Sequence, residues 1–359
     1  MNQRFRSFCL SVIATVLFSG IAIIALNYYV DPWRFFHDSN VSSWQGKGRL
    51  QNPGILKQKT VSTIVLGTSM TQNFSPNEIE SLFDGPAAVL SISAGTGREQ
   101  SLLALMAIRE QRGLKNVIWG VHPGSFSLPS AKIKNSSFPA YMYDDGKLND
   151  LSYLFNLSNS KKSLRDLREE VRDELPENWK NLQRWSSRYS YGCPHALELQ
   201  INRRGLPSSG DDWLGEYNHV YENVRENLYD VVVENPEVQF VFFFPPFSSL
   251  YWSIISESQP RRFKAYVRVM REVAKQLAEE PNVRIFDFTA ARSITKDLEN
   301  YRDLTHFSGD VSSRLLEFMR IGQYQVSYQE LANVGHEHSL AIYKNVGNEV
   351  LECLASNKL

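Results

Sequence analysis

The sequence predicts a doubly wound, three-layer α/β/α domain carried behind an N-terminal helix able to cross a membrane. Five short runs are mostly continuous apolar stretches instead of alternating ones: Thr63–Leu66, Ala88–Ile92, Asn116–Val121, Gln239–Phe244 and Val283–Phe288. That pattern suits parallel strands buried on both faces. Stretches of helical periodicity separate them, as crossovers packed on a parallel sheet require. Ahead of the first strand, residues 8–29 carry no charge.

The apolar run from Leu10 to Leu26 is long enough for a hydrocarbon core of roughly 30 Å. Arg4 and Arg6 precede it, and Tyr28, Tyr29 and Trp33 follow as candidate interface aromatics. The basic flank predicts a cytoplasmic N-terminus with the rest of the chain on the far side. A cleavable signal peptide is the rival reading, but its apolar region is normally about 7–15 residues with an Ala-x-Ala-like site after it. No such site follows Leu26, so residues 1–30 are expected to be a retained anchor. Residues 31–60 (Asp31-Pro32-Trp33, then Gln51-Asn52-Pro53-Gly54) are polar and irregular and read as a tether or a first turn over the domain surface.

Within the domain, 61–322, the expected helices are Pro76–Phe83, Glu99–Arg112, Glu216–Val233, Arg262–Glu280 and Gly309–Ile321. Ser75 is placed to cap the first of them, with Glu78 in reach of a capping box. The stretch from about 123 to 212 is too long for a plain crossover. With Pro129, Pro139, the charged run Lys161–Glu174 and the Trp/Tyr/Ser/Arg-rich segment Trp185–Tyr191, it reads as a helical insertion at the crevice. Residues 323–359 form a C-terminal extension.

The 359 residues carry 39 Lys+Arg and 39 Asp+Glu, a formal net charge of zero. Without a cationic excess to displace counterions, nucleic acid is not an expected partner. Cys193 and Cys353 would lie outside the cytoplasm, where a disulfide between them is permitted; two free thiols are the alternative. His336 and His338 form a His-x-His pair with no nearby cysteine or carboxylate set, too thin for a metal site. Gly95-Thr96-Gly97 lacks the Lys-Ser/Thr of a phosphate loop. No metal or cofactor is expected.

Two short motifs carry the chemistry. Gly67-Thr68-Ser69 follows the first strand directly, and Asp303-Leu304-Thr305-His306 lies far downstream. A serine hydroxyl is a weak nucleophile until an adjacent base takes its proton, and the base works best when a third group fixes its tautomer. Asp303 and His306, three apart on a turn, can share one face and aim the imidazole at Ser69. Ser69, Gly95, His122, Pro245 and Asp303 all fall just past a predicted strand end or in the loop after it. In an open parallel sheet that is where the ligand crevice lies.

These motifs resemble those of the SGNH (GDSL-like) hydrolase superfamily, in particular its membrane-anchored extracytoplasmic branch, which includes proteins that O-acetylate bacterial exopolysaccharides such as alginate. Leu66-Gly67-Thr68-Ser69-Met70-Thr71 is similar to the block bearing the nucleophile. Ser91-Ile92-Ser93-Ala94-Gly95-Thr96-Gly97 is similar to the block whose glycine, here Gly95, offers a backbone N–H to the oxyanion. Asp303 and His306, followed by Phe307-Ser308, match the last block. Phe244-Pro245-Pro246-Phe247 and Val30-Asp31-Pro32 also resemble segments of this branch, and the likeness covers roughly residues 28–322.

The resemblance implies a flavodoxin-like sheet. It also implies serine-dependent O-acyl, chiefly O-acetyl, transfer or ester hydrolysis on a cell-surface or exported polysaccharide or an acylated small molecule. The setting it implies is the bacterial inner membrane, with the domain periplasmic or extracellular and a membrane acyl-transport protein as partner. One block departs from the pattern. The superfamily places an Asn after the third strand as a second oxyanion donor, and this chain has His122 in Gly120-Val121-His122-Pro123-Gly124-Ser125-Phe126. His122 can donate to the oxyanion, hold a substrate hydroxyl, or do neither. Phe247, Tyr251 and Trp252 can form a sugar-stacking wall or simply pack. A different class of function also stays open, a catalytically silent polysaccharide-binding or assembly subunit.

Overall fold

The computed structural model describes residues 3–134, 138–170, 179–193, 195–197 and 217–333. The chain divides into two compact units, one of residues 1–60 and 137–182, the other of 61–136 and 183–359.

The second unit holds the sheet. Its strands are β1 (Thr63–Leu66), β2 (Ala87–Val89), β3 (Asn116–Gly120), β4 (Gln239–Phe244) and β5 (Val283–Asp287). All neighbours are parallel, in the order β2-β1-β3-β4-β5. The continuous apolar runs arise because both faces are covered: Ile64, Val65, Val117, Ile118, Trp119, Phe240, Phe242 and Phe243 are all buried. Trp119 stacks on Phe242 across the β3–β4 pair, with ring centroids 5.8 Å apart. The expected second strand is shorter than Ala88–Ile92, yet the chain still tracks β1 past Val89, since Leu90 N donates to Val65 O and Ile92 N to Gly67 O.

Helices Pro76–Phe83, Gly97–Glu110 and Pro260–Leu277 serve as crossovers, and Gly309–Ile321 follows the Asp-His motif. Ser75 occupies the N-cap position of the first, but its side chain makes no capping bond. The capping box sits one crossover later, where Thr96 Oγ1 accepts from Glu99 N and Glu99 Oε2 accepts from Thr96 N. The fourth expected helix is interrupted. Tyr217–Val224 and Asp230–Val233 are joined by a wider π-turn at Arg225–Tyr229. In the C-terminal extension, Tyr324 and Val326 bond to the backbone of β5 and Tyr328–Asn333 is helical, so part of this segment closes the edge of the sheet. His336, His338 and Cys353 lie outside the described residues. Cys193 is disulfide-bonded and Cys9 is free.

The first unit corrects the tether. Residues 31–60 include helix Gly48–Gln58, and Trp33, Phe35, Trp44, Ile55 and Leu56 are buried. They pack with part of the expected insertion, helices Leu151–Leu154 and Leu157–Glu170, whereas its described residues between Gln183 and Leu197 belong to the sheet unit. The misreading has a physical cause: the segment is polar because its polar groups are used inside. Asp31, fully buried, accepts from the backbone N–H of Phe35, Phe36 and His37 and from the Tyr153 hydroxyl. Gly54 approaches the Trp33 carbonyl so closely that a Cβ there would lie 1.9 Å from its oxygen. The N-terminal helix, Gln3–Val30, is long and apolar enough to cross a membrane.

Lys162 and Asp166 form a buried ion pair one turn apart in this unit, and the Ser43 hydroxyl donates to the same carboxylate at 2.9 Å. Burial pushes the Lys162 ammonium down from its ordinary value, and Asp166 opposes that shift. Lys162→Met alone strands a buried carboxylate and should destabilise this unit by about 3–5 kcal/mol, whereas the double change Lys162→Met/Asp166→Leu should recover most of the loss. Denaturant unfolding of the three full-length proteins in detergent measures both effects.

Candidate active site

The nucleophile turn is built by sterics. Gly67 has φ +144°, where a side chain is strained, and a Cβ there would meet the Thr71 side chain at 2.7 Å. A Cβ on Gly120, at the end of β3, would meet Thr71 Cγ2 at 2.5 Å. Thr71 thus sits between the ends of β1 and β3. Its hydroxyl donates to Thr68 O at 2.9 Å and pairs with the Ser91 hydroxyl at 2.5 Å. The result is a single 3-10 turn, Ser69–Thr71, with Ser69 at its start. An N–H in that position has no intrahelical acceptor and is available to a ligand.

Ser69 Oγ lies 2.8 Å from His306 Nε2. His306 Nδ1 lies 2.8 Å from Asp303 Oδ2 and 3.0 Å from Oδ1. The Asp303 carboxylate also accepts from the backbone N–H of Thr305 and His306 and from the Thr305 hydroxyl. Burial alone would raise the Asp303 carboxyl, but the hydrogen bonds and charge of His306, with the two backbone donors, outweigh it and hold the group well below the usual carboxylate range. An ionised Asp303 fixes the imidazole proton on Nδ1 and leaves the Nε2 lone pair facing Ser69. The structure therefore joins Ser69, His306 and Asp303 in one hydrogen-bonded chain.

Gly95 and His122 line the same cavity, of about 660 Å³, together with Ser69 and His306. That volume suits a small-molecule or chain-segment ligand. The two expected oxyanion donors differ in their availability. The N–H of Gly95 donates back to Ile92 O at 2.8 Å, closing a turn in which Ala94 has φ +50°. Gly95 is there because a Cβ would lie 2.9 Å from the Ile92 carbonyl oxygen, and its own carbonyl accepts from Gln100 and Ser125. In this structure its backbone donor closes that turn, while Gly95 itself lines the cavity.

His122 is better placed. It caps the short helix Pro123–Phe126, and Gly124 N donates to its Nδ1 at 3.0 Å. With Nδ1 an acceptor, a neutral ring carries its proton on Nε2. Burial first, then the proximity of His306, Arg262 and Lys134, pushes the His122 imidazole down to about 4. His122 is thus a neutral Nε2–H donor near neutral pH. Phe247 and Tyr266 pack edge-on to its ring, at 5.4 and 6.0 Å between centroids. Phe247, Tyr251 and Trp252 are buried and pack on one another, so Phe247 backs the imidazole and the cluster is packed inside the fold.

Several residues at the site carry no sequence signal of their own. Trp185 packs edge-on to His306 at 5.5 Å, and the Arg302 guanidinium lies over Trp185 and Tyr189. Buried Asn73 ties three pieces together, donating to Phe307 O and accepting from Trp185 N and Ser186 N. Asn223 and Asn227, flanking and within the π-turn, hold the loop at Leu128 and Ser130. Asn223 approaches Gly97 so closely that a Cβ there would sit 2.2 Å from its oxygen. That loop leads to Lys132 and Lys134, which with Arg262 and Tyr266 also line the cavity. Tyr251 hydrogen-bonds both Arg262 and Tyr266. An Arg or Lys distant in sequence announces none of this; only the Trp/Tyr/Ser/Arg-rich character of 185–191 hinted at a covering segment.

The sequence matches no known family profile and no curated protein. Among solved structures, a Streptococcus pneumonia protein named for platelet activating factor aligns with 87% of this chain and 99% of its own, at 10% identity and a TM-score of 0.38. At that level of similarity no property is carried from one protein to the other.

The depressed His122 imidazole makes stability depend on pH. In the unfolded chain the group titrates near 6.5 and in the folded protein at about 4, so the unfolded state takes up the proton first as pH falls. The stabilisation is complete above about 6.5 and is lost between there and about 4. His122→Asn should flatten this part of a stability–pH profile measured by denaturant unfolding, leaving the Asp303 contribution to appear only at lower pH.

Proposed function

We propose that this chain is a membrane-anchored, serine-dependent O-acyl, chiefly O-acetyl, transferase or esterase of the SGNH type acting on an exported polysaccharide. The observation that carries the reading is the continuous hydrogen-bonded chain Ser69–His306–Asp303 opening into a cavity. His306 Nε2 takes the Ser69 proton as Oγ attacks the acyl carbonyl. Asp303 holds the imidazolium that forms, and the Ser69 N–H and His122 Nε2–H receive the charge developing on the carbonyl oxygen. Collapse expels the first alcohol, which takes its proton from His306. A sugar hydroxyl or water, deprotonated by the same nitrogen, then releases the acyl group from Ser69.

Two further features support details of the reading. The cavity wall has Lys132, Lys134 and Arg262 and, among the described residues, no carboxylate in its lining, which suits an anionic acceptor such as an acidic polysaccharide. The N-terminal helix runs without interruption into the buried residues Asn27, Val30 and Asp31 of the first unit. A retained anchor accounts for that continuity better than a segment cleaved near residue 27, and the Arg4/Arg6 flank favours a cytoplasmic N-terminus.

In the full-length protein, Ser69→Ala should lower hydrolysis of an activated acetyl ester at least about 10³-fold with an unchanged melting temperature. His122→Ala should lower kcat by about 10²–10³ with little change in KM, as expected for a donor used mainly in the transition state. Steady-state kinetics on the two variants decide it: undiminished turnover by Ser69→Ala would refute a catalytic Ser69, and no turnover by the unsubstituted protein would leave a binding or assembly role.

A further inference from the structure

The corner between helices Leu151–Leu154 and Leu157–Glu170 lies beside the N-terminal helix, within the first unit. A Cβ built on Gly20 would touch the Phe155 ring at 3.6 Å. Gly20 and Asn27 are seven residues apart, so they share a helix face and Gly20 lies about 10 Å further along the axis. At the level of Asn27 the exposed rings of Tyr28 and Tyr29 mark the position expected for a membrane–water interface. Phe155 therefore reaches past that interface, alongside the stretch where Val16, Leu17 and Ile21 present their side chains outward.

The corner is also apolar where it is bare. Leu151, Phe155 and Leu157 are 55%, 63% and 71% exposed, an unusual density of uncovered large apolar groups for a water-facing turn. Its polar backbone, by contrast, is met from within. Fully buried Asn27 donates through Nδ2 to Leu154 O at 2.7 Å and to Asn156 O at 3.3 Å, and accepts from Ser163 Oγ. Asn156 Oδ1 accepts from the N–H groups of Ser158 and Asn159, and Phe155 N donates to Leu151 O. Irregular backbone is tolerated near hydrocarbon only when its polar groups are satisfied by protein. An asparagine at the end of an otherwise apolar helix is thereby explained.

We propose that the Leu151–Leu157 corner is a second, non-spanning membrane contact that inserts Phe155 into the acyl chains of the adjacent leaflet, beside the anchor. The occupant is lipid, because the bare face is continuous with the outward surface of a helix suited to cross the bilayer. Exposed Asp144, Asp145 and Lys147, just before the corner, mark where the chain returns to water. Two contacts instead of one restrict how the first unit rotates about the anchor. The inference rests on reading residues 3–30 as a retained span.

The test places the full-length protein in nanodiscs of phosphatidylcholine with or without bromine on the acyl chains. Tryptophan is introduced singly by Phe155→Trp, Leu151→Trp or, as an anchor control, Ile21→Trp, and the emission above that of the unsubstituted protein is read. Brominated lipid should quench positions 155 and 21 to a similar extent and 151 at least partly, while aqueous acrylamide quenches none of them strongly. Quenching at 21 with none at 155 and 151 would overturn the second contact and leave the anchor standing. Protection of 155 from both quenchers would mean a protein partner covers the corner, which also overturns it. Absence of lipid quenching at all three positions would remove the anchor and the contact together. The Leu151→Trp protein keeps the test decisive should Phe155→Trp not fold.

Discussion

The hydrogen bond between Ser69 and His306 joins residues 237 positions apart, and the rest of the site is arranged around it. It depends on one constraint, the strand order β2-β1-β3-β4-β5. The chain leaves β1 toward one edge of the sheet, returns across it to β3, and so opens a crevice where β1 and β3 end side by side. Ser69 follows β1 and His122 follows β3, and Thr71, wedged between Gly67 and Gly120, sets how close those two ends come. The Asp303–His306 turn is brought over the same edge by the loop after β5, and Asn73 ties it to the nucleophile turn. Enlarging either glycine would separate the groups without touching any of them.

Electrostatics then divides the labour between two groups that are both shifted down. Asp303 stays ionised because its hydrogen bonds outweigh its burial, whereas His122 stays neutral chiefly because it is buried near other cations. The first makes His306 a base of fixed tautomer, and the second makes His122 a donor with no charge to desolvate. The imidazole that departs from the asparagine pattern can thus supply the same kind of hydrogen bond. The Gly95 N–H donates to Ile92 O, and Gly95, His122 and the Ser69 backbone are the candidates for the oxyanion, all at one cavity.

How much of this was legible in the chain follows from which forces act locally. The strands were readable because burial on both faces leaves a continuous apolar run; β1 and β4 match their expected bounds residue for residue. The Ser69, Asp303 and His306 positions were readable because strand-end location and short motifs coincide. The fold of residues 31–60 was not, since polar residues such as Asp31 bond inside a unit completed by helices more than a hundred positions away. Ser75 takes the N-cap position that its residue type suggested, but its side chain makes no capping bond. Asn73, Trp185 and Arg262 contribute through contacts distant in sequence, which periodicity does not encode. The turn that occupies the Gly95 N–H is likewise a matter of three-dimensional closure.

If Ser69 is the nucleophile, it carries an acyl group during turnover, and peptide-resolved mass spectrometry of the full-length protein can detect that group. After brief exposure to an activated acetyl ester and acid quench, an acetyl group should accumulate on the peptide containing Ser69 in wild type and be absent from Ser69→Ala and His306→Ala. Modification confined to other residues, or equal labelling of the variants, would contradict it.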